Sequence, residues 1–159
     1  MEKDEIRGYS ARISQANSSE LVVIIYELFM YSFGEAKDAY GAGMIEESVK
    51  YMRKAQECVA ELRRSLNFKY EISYELERLY KYVNEKLALA ITKRQPVDFE
   101  SVENVMQKLG KSFAEIAKQD KSAPIMQNSQ KVYAGLTYGK NSLNEVFFDK
   151  NQASRGFKA

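Results

Sequence analysis

The chain has 159 residues, a formal net charge of +2 and no histidine. Its length suits one domain with a sizeable core, and its nearly balanced charge offers no basic excess for binding nucleic acid. The absence of histidine excludes Ser-His-Asp and Cys-His triads, phosphorylation on histidine and the commonest protein ligand of metals.

The first ten residues are charged and polar, with the sequence MEKDEIRGYS. They contain neither the apolar segment of a signal peptide nor a transmembrane run. We therefore expect a cytoplasmic protein that does not insert into a membrane.

The first predicted helix begins after Asn17 and meets no breaker before Gly41. Asn17 is a favourable N-cap residue, and Glu20, three positions on, can complete a capping box. At about 100° per residue the helix carries one stripe that we interpret as its core face. This stripe consists of Leu21, Ile24, Ile25, Leu28, Ser32, Ala36 and Ala39.

A second apolar stripe lies beside the first on the same helix. It makes the apolar arc wider than one packing face requires, so the helix either lies at the centre of the protein or presents a surface to a partner. The second stripe consists of Val22, Tyr26, Phe29, Phe33 and Tyr40.

Three further helices are predicted, because apolar residues recur at helical spacing in three later segments. The second starts near Ile45, after a break at residues 41–43, and the third starts near Ile72. Proline at position 96 predicts a turn, after which Asp98 is the expected N-cap of a fourth helix. Short connections favour antiparallel neighbours. The sequence thus predicts an all-α protein, with an antiparallel four-helix bundle at residues 17–121, an N-terminal segment at 1–16 and an irregular tail at 122–159.

No pattern in the chain indicates catalysis. Glycines form no phosphate-binding loop, and the acidic pair Glu57 and Glu61 lacks the histidine that accompanies glutamates in di-iron bundles. Cys58 fits a small buried thiol. We therefore predict no enzyme, no catalytic residue, no metal site and no cofactor.

Three segments of the chain resemble a known family over residues 9 to 118. The first segment has Tyr9 and then, at residues 15–28, QANSSELVVIIYEL. Residues 54–67 read KAQECVAELRRSLN, and residues 76–90 read LERLYKYVNEKLALA. Their order and spacing are similar to those of the flagellin-specific export chaperones, the FliS family. The resemblance implies a cytoplasmic chaperone that binds the disordered C-terminal segment of flagellin, prevents its premature polymerisation and delivers it to the flagellar export gate.

The resemblance also implies that a short N-terminal segment covers the binding surface when the client is absent, which here is the stretch around Tyr9 and Ile13. From the helical wheel we assign the client to the second stripe, and we add two apolar residues that lie off the core stripe of the third helix. The predicted client-binding residues are Val22, Tyr26, Phe29, Phe33, Tyr82 and Leu89.

The tail is too rich in aromatic and leucine residues for an ordinary solvated linker. We expect Tyr133, Leu136 and Tyr138 to compete with the client for the apolar surface, with plain disorder as the alternative. For the whole chain the alternative function is a structural or oligomeric helical bundle, in which the second stripe packs against another copy. The sequence leaves open whether the protein is a monomer or a homodimer.

Overall fold

The computed structural model describes residues 3–128, and these contain five α-helices, one short 3-10 helix and no strand. The predicted all-α class is confirmed. The helices are α1 (Lys3–Gln15), α2 (Ser18–Gly41), α3 (Ile45–Arg64), α4 (Ile72–Lys93) and α5 (Phe99–Gln119), and the 3-10 helix spans Ile125–Asn128.

The described residues divide into two units. One unit consists of residues 18–121 and contains α2 to α5. The other joins the residues before α2 to those after position 121. In this second unit the Ile125 amide donates a hydrogen bond to the Ala16 carbonyl at 3.0 Å, and Asn17 Nδ2 donates to the Ser122 carbonyl at 3.4 Å. The sequence predicted no helix at α1 and no association between these two segments.

In the larger unit, α2 packs on α3 and α5, α3 packs on α4, and α4 packs on α5. Hydrogen bonds link each neighbouring pair: Ser48 Oγ to the Ala36 carbonyl at 2.7 Å, Gln56 to Asn84 at 3.1 Å, Tyr82 to Ser101 at 2.9 Å and Lys37 to Glu103 at 2.6 Å. The shared core between the helices is aliphatic and aromatic. Its largest fully buried side chains include Tyr26, Tyr80, Phe29, Phe33, Met52, Leu62 and Leu87.

The connection between α2 and α3 lies where the glycines predicted a break. The Met44 amide donates to the Ala39 carbonyl at 2.8 Å and the Gly43 amide donates to the Tyr40 carbonyl at 3.0 Å. This pair of bonds closes a Schellman motif, which needs a left-handed residue after the helix. Gly43 supplies it with φ of 77°, at no steric cost to a residue without Cβ.

Asp98 is the N-cap residue of α5, as predicted, but it does not cap the helix through its side chain. Asp98 has the left-handed values φ 50° and ψ 34°, and its side chain makes no cap hydrogen bond. Its carboxylate instead accepts from Lys86 Nζ of α4 at 2.7 Å, and this hydrogen bond raises the pKa of Lys86. An available cation on the neighbouring helix thus determines where the carboxylate points.

The core contains a polar contact between two tyrosines. The hydroxyl oxygens of Tyr26 on α2 and Tyr80 on α4 lie 2.5 Å apart, and the two side chains are 2% and 1% exposed. Because each hydroxyl is the other's partner, neither is left unsatisfied in the core. Burial raises the pKa of both tyrosines, and for Tyr26 the neighbouring Tyr80 adds to the effect.

Replacing Tyr80 by phenylalanine leaves the buried Tyr26 hydroxyl without its partner. We expect a loss of about 1–3 kcal/mol in the free energy of unfolding, because an unsatisfied buried hydroxyl retains its desolvation cost. The double variant Tyr26→Phe with Tyr80→Phe should recover a large part of that loss. Urea denaturation of the wild type, both single variants and the double variant measures the coupling. Additive single effects would contradict the proposed importance of this pair.

The same pair predicts a loss of stability at alkaline pH. Above pH of about 10, the ordinary tyrosine pKa, the unfolded chain loses phenolic protons that the folded protein keeps, so stability falls as pH rises. Each tyrosine contributes at most about 1.4 kcal/mol per pH unit in that range. Denaturation at pH 9 to 11 should therefore show a steeper decline for the wild type than for the double phenylalanine variant. Parallel declines would mean that other groups control the alkaline stability.

Gly110 lies inside α5, where glycine is unfavourable. A Cβ added there would meet the Tyr26 Cβ at 3.5 Å, which is ordinary van der Waals contact. Gly110→Ala should therefore raise the free energy of unfolding by about 0.5–1 kcal/mol, the usual advantage of alanine in a helix interior. Thermal denaturation measures the change, and a lower melting temperature would mean that α5 cannot tolerate a side chain at this position.

Candidate functional site: the outer face of helix α2

Both apolar stripes on α2 exist, and both contribute buried residues: Ile24, Ser32 and Ala36 of the stripe predicted as core are buried, and so are Tyr26, Phe29 and Phe33 of the second stripe. Tyr26, Phe29 and Phe33, expected to bind a client, are 2%, 0% and 0% exposed and belong to the core. The Phe33 ring lies 4.6 Å from the Phe99 ring between centroids, and the Tyr26 ring stacks on Phe113 at 5.4 Å. These three residues are unavailable to a partner unless the helices separate, so the predicted role is wrong for them.

The burial of the second stripe has a physical reason in the size of its side chains. Phe29, Phe33 and Tyr26 carry much more apolar surface than the serine and alanines of the other stripe, so burying the aromatic side gains more free energy. The smaller side chains are divided between the two sides of the helix. Ala36 is buried in the core, where it leaves room for Ser48 to donate to its carbonyl.

Three aliphatic residues predicted to be core define a different surface. Leu21, Ile24 and Leu28 lie at i, i+3 and i+7, so they share one face of α2. Among residues 3–128, neither the core cluster nor the partly buried apolar residues packed against it include any of the three. Leu21 and Leu28 are partly exposed, and Ile24 is 2% exposed. We call these three residues the outer stripe.

The outer stripe makes α2 apolar on two sides. At about 100° per residue it lies roughly 140° around the helix from the inner stripe of Tyr26, Phe29 and Phe33. Accordingly α2 is the least amphipathic and the most hydrophobic of the five α-helices. A helix that is apolar on two sides needs contacts on both of them. The core satisfies one side, which leaves the outer stripe as the candidate binding surface, with Leu21 and Leu28 partly exposed and Ile24 buried between them.

The other predicted client residues lie apart from this surface. Val22 is partly buried and packs against the core. On α4, Tyr82 is partly buried with its hydroxyl donating to Ser101 Oγ, and Leu89 is 43% exposed. Helix α4, which carries both residues, packs on α3 and α5 and meets α2 in the core through the Tyr26–Tyr80 pair.

The predicted cap residues lie on α1, in the other unit. Tyr9 and Ile13 are both partly exposed, and their spacing of four places them on one side of the helix. The Arg12 guanidinium carbon lies 5.6 Å from the centroid of the Tyr9 ring. The tail residues Tyr133, Leu136 and Tyr138 lie outside the described residues.

The connection between α3 and α4 and the first residues of α4 carry an exposed apolar cluster that is not among the predicted site residues. Phe68, Tyr70, Ile72 and Tyr74 are 42% to 65% exposed, and the Phe68 and Tyr74 rings meet edge to face at 5.1 Å between centroids. Their alternation, at every second position, is the signal that would have found them, because it matches neither a helical core stripe nor a polar turn.

The reactive groups of the described residues do not form a catalytic centre. Burial raises the pKa of the Cys58 thiol to about 11, with the neighbouring Glu57 and Glu61 adding to the effect, so the thiol stays protonated and poorly nucleophilic at neutral pH. Within residues 3–128, no group of three or more histidine, cysteine, aspartate or glutamate side chains is placed to hold a metal ion. In the same range no helix combines the length and apolar character needed to cross a bilayer.

The fold and the site define a class of protein: an all-α unit with an apolar face on its first long helix. A family model described as flagellar protein FliS matches residues 3–120. That range covers α1 to α5, so the chain belongs to the FliS family of flagellar export chaperones, as the resemblance of its motifs indicated. No curated protein matches the chain.

Proposed function

We propose that this protein is a cytoplasmic export chaperone that binds the disordered C-terminal segment of flagellin along the outer stripe of α2. The family supports a role in flagellar export. The observation that carries the proposal is the outer stripe, because Leu21 and Leu28 are apolar, partly exposed and outside the core cluster, while Ile24 is buried between them. Binding would keep flagellin from polymerising prematurely and would deliver it to the flagellar export gate.

An apolar helix face suits a client that folds as it binds. A disordered segment loses conformational entropy on ordering, and burial of apolar area along a helix compensates for that loss. The client would form an amphipathic helix whose apolar residues lie on the outer stripe. Recognition of this kind requires neither a cofactor nor catalysis, and it involves neither nucleic acid nor membrane insertion.

The proposal includes a fold arrangement and a cover for the site. The helices α2 to α5 would form an antiparallel four-helix bundle, which is supported by the short connections between them and by the packing of each on the next. Following the resemblance, Tyr9 and Ile13 on α1 would belong to a removable cover of the client surface. A cover of this kind would keep an empty apolar face soluble.

Leu28→Glu should weaken binding of the flagellin C-terminal segment by at least tenfold. It removes a leucine contact worth about 1.5–3 kcal/mol when fully buried and introduces a charge that the complex must desolvate. Since Leu28 is partly exposed and lies outside the core cluster, the variant should stay folded. Isothermal titration with the C-terminal segment of flagellin from the same organism measures the affinity, and the wild type should show a large negative heat-capacity change.

Met44→Glu is the matched control, because Met44 is 55% exposed at the connection before α3. It introduces the same charge at an exposed apolar residue and should leave the affinity within about twofold, as expected for a change outside the interface. Phe29→Asp is unsuitable as a binding test, since it places a charge in the core and should unfold the protein. Wild-type affinity in a folded Leu28→Glu protein would remove the outer stripe from the site.

Self-association through the same stripe is the competing interpretation, and light scattering distinguishes it from client binding. If the protein is a chaperone with a free client face, the wild type and Leu28→Glu should both have the molar mass of a monomer at micromolar concentration. A wild-type dimer that Leu28→Glu converts to a monomer, together with no flagellin binding, would favour the structural bundle.

A further inference from the structure

The joint between α1 and α2 is short and buried. Helix α1 ends at Gln15 and α2 begins at Ser18, so the joint consists of Ala16 and Asn17. Both joint residues are 2% exposed, whereas connections between helices usually run over the protein surface in contact with water. Another part of the chain must therefore cover this joint.

Residues 122–125, which follow α5, contact the joint from the far end of the described chain. Asn17 Nδ2 donates a hydrogen bond to the Ser122 carbonyl at 3.4 Å, and the Ile125 amide donates to the Ala16 carbonyl at 3.0 Å. The second bond supplies a partner for a backbone carbonyl at the end of α1, where the helix itself offers none. We call residues 122–125 the strap.

The sequence of the strap suits this contact. Pro124 fixes its own φ and favours extended backbone at Ala123, so the strap has few alternative conformations to lose when it is held at the joint. Proline has no amide proton, and the next amide along the chain, that of Ile125, reaches the Ala16 carbonyl. The 3-10 helix that starts at Ile125 packs on α1. The strap and the 3-10 helix thus form one continuous contact with α1 and its joint.

A hydrogen bond in the larger unit fixes the position from which the strap starts. Ser19 Oγ, in the first turn of α2, donates to the Asp120 carboxylate at 2.5 Å. Asp120 directly follows the last residue of α5 and lies two positions before the strap. The start of the strap is therefore tied to α2, and its end is tied to the joint.

Helix α1 depends on such contacts because it is weak by itself. It has 13 residues, it contains Gly8, and it is the least hydrophobic of the five α-helices. Isolated helices of this length are marginally stable in water. Loss of the strap contacts should therefore increase the fraction of molecules in which α1 is detached or unfolded.

We propose that the strap holds α1 in place as the cover of the client surface, and that release of the strap controls the access of flagellin to that surface. The inference rests on the proposed function, in which Tyr9 and Ile13 of α1 belong to the cover. A client that binds only uncovered molecules has an apparent affinity reduced in proportion to the uncovered fraction. Weakening the strap should therefore strengthen client binding, although no residue of the outer stripe changes.

Ile125→Pro in the full chain tests the strap by removing the amide that donates to Ala16. Proline is tolerated in the first turn of a helix, so the 3-10 helix should still form. Loss of one hydrogen bond corresponds to about two- to tenfold in an opening equilibrium. Hydrogen exchange of the α1 amides, measured by mass spectrometry without flagellin, should accelerate by that factor. Affinity for the flagellin C-terminal segment, measured by isothermal titration, should rise by about the same factor.

Ile125→Ala is the matched control, because it keeps the amide and removes a side chain that is 48% exposed. It should leave exchange and affinity within about twofold of the wild type, since the hydrogen bond to Ala16 remains. Equal acceleration in the proline and alanine variants would overturn the role of the amide bond. Unchanged exchange of α1 in an Ile125→Pro protein with wild-type circular dichroism would overturn the strap.

Ser19→Ala tests the other end of the strap without introducing a proline. Alanine is a good helix former, so α2 should stay intact, and exchange of α1 and flagellin affinity should again rise by about two- to tenfold. Ser112→Ala is its control, because the exposed Ser112 Oγ donates to the Lys108 carbonyl of its own helix. The control should change neither measurement. Wild-type exchange and affinity in Ser19→Ala would overturn the anchoring of the strap through Asp120.

The two measurements separate failure of this inference from failure of the proposed function. Faster exchange of α1 with unchanged flagellin affinity, while Leu28→Glu weakens binding, would overturn the control of access and leave the chaperone proposal intact. No binding of the flagellin segment by the wild type or by Ile125→Pro would overturn the proposed function and the control of access with it. Faster exchange together with tighter binding supports the proposal.

Discussion

Burial of the aromatic side of α2 is the constraint on which the larger unit depends. Tyr26 stacks on Phe113 of α5 and shares a hydrogen bond with Tyr80 of α4, while Phe33 packs on Phe99 at the start of α5. One helix thus contributes aromatic contacts to two others, and it also packs on α3. The aromatic contacts and the paired hydroxyls fix the rotational orientation of α2 about its axis. They therefore also determine which residues of α2 face away from the core.

The outer stripe is a consequence of that rotation. Once Tyr26, Phe29 and Phe33 occupy the core, Leu21, Ile24 and Leu28 must lie on another side of the same helix. Their apolar character conflicts with a helix that needs only one packing face, and such conflicts between local pattern and fold occur where a protein binds something. Membership of the FliS family gives this conflict a biological setting, since the client proposed for the outer stripe is a disordered segment that orders on binding.

Several features of the fold were predictable because they depend on local chemistry. The breaks before Ile45, Ile72 and Phe99 follow from glycine, proline and polar turn residues, and the structure begins α3, α4 and α5 at those positions. Other features depended on partners distant in sequence. Asp98 stands at the expected helix start, yet Lys86 of α4 takes its carboxylate. Helix α1 went unpredicted because it is mostly polar and contains Gly8, so its pattern resembles a loop.

The sequence by itself determined that the chain is helical, where its four long helices begin, that α2 carries two apolar stripes and which family it belongs to. Only the tertiary structure decided how the two stripes share the core. A helical wheel reports which residues share a face, whereas the face that is buried depends on the complementary side chains of the neighbouring helices. Here those were Tyr80, Phe99 and Phe113, whose rings match the aromatic stripe and not the aliphatic one.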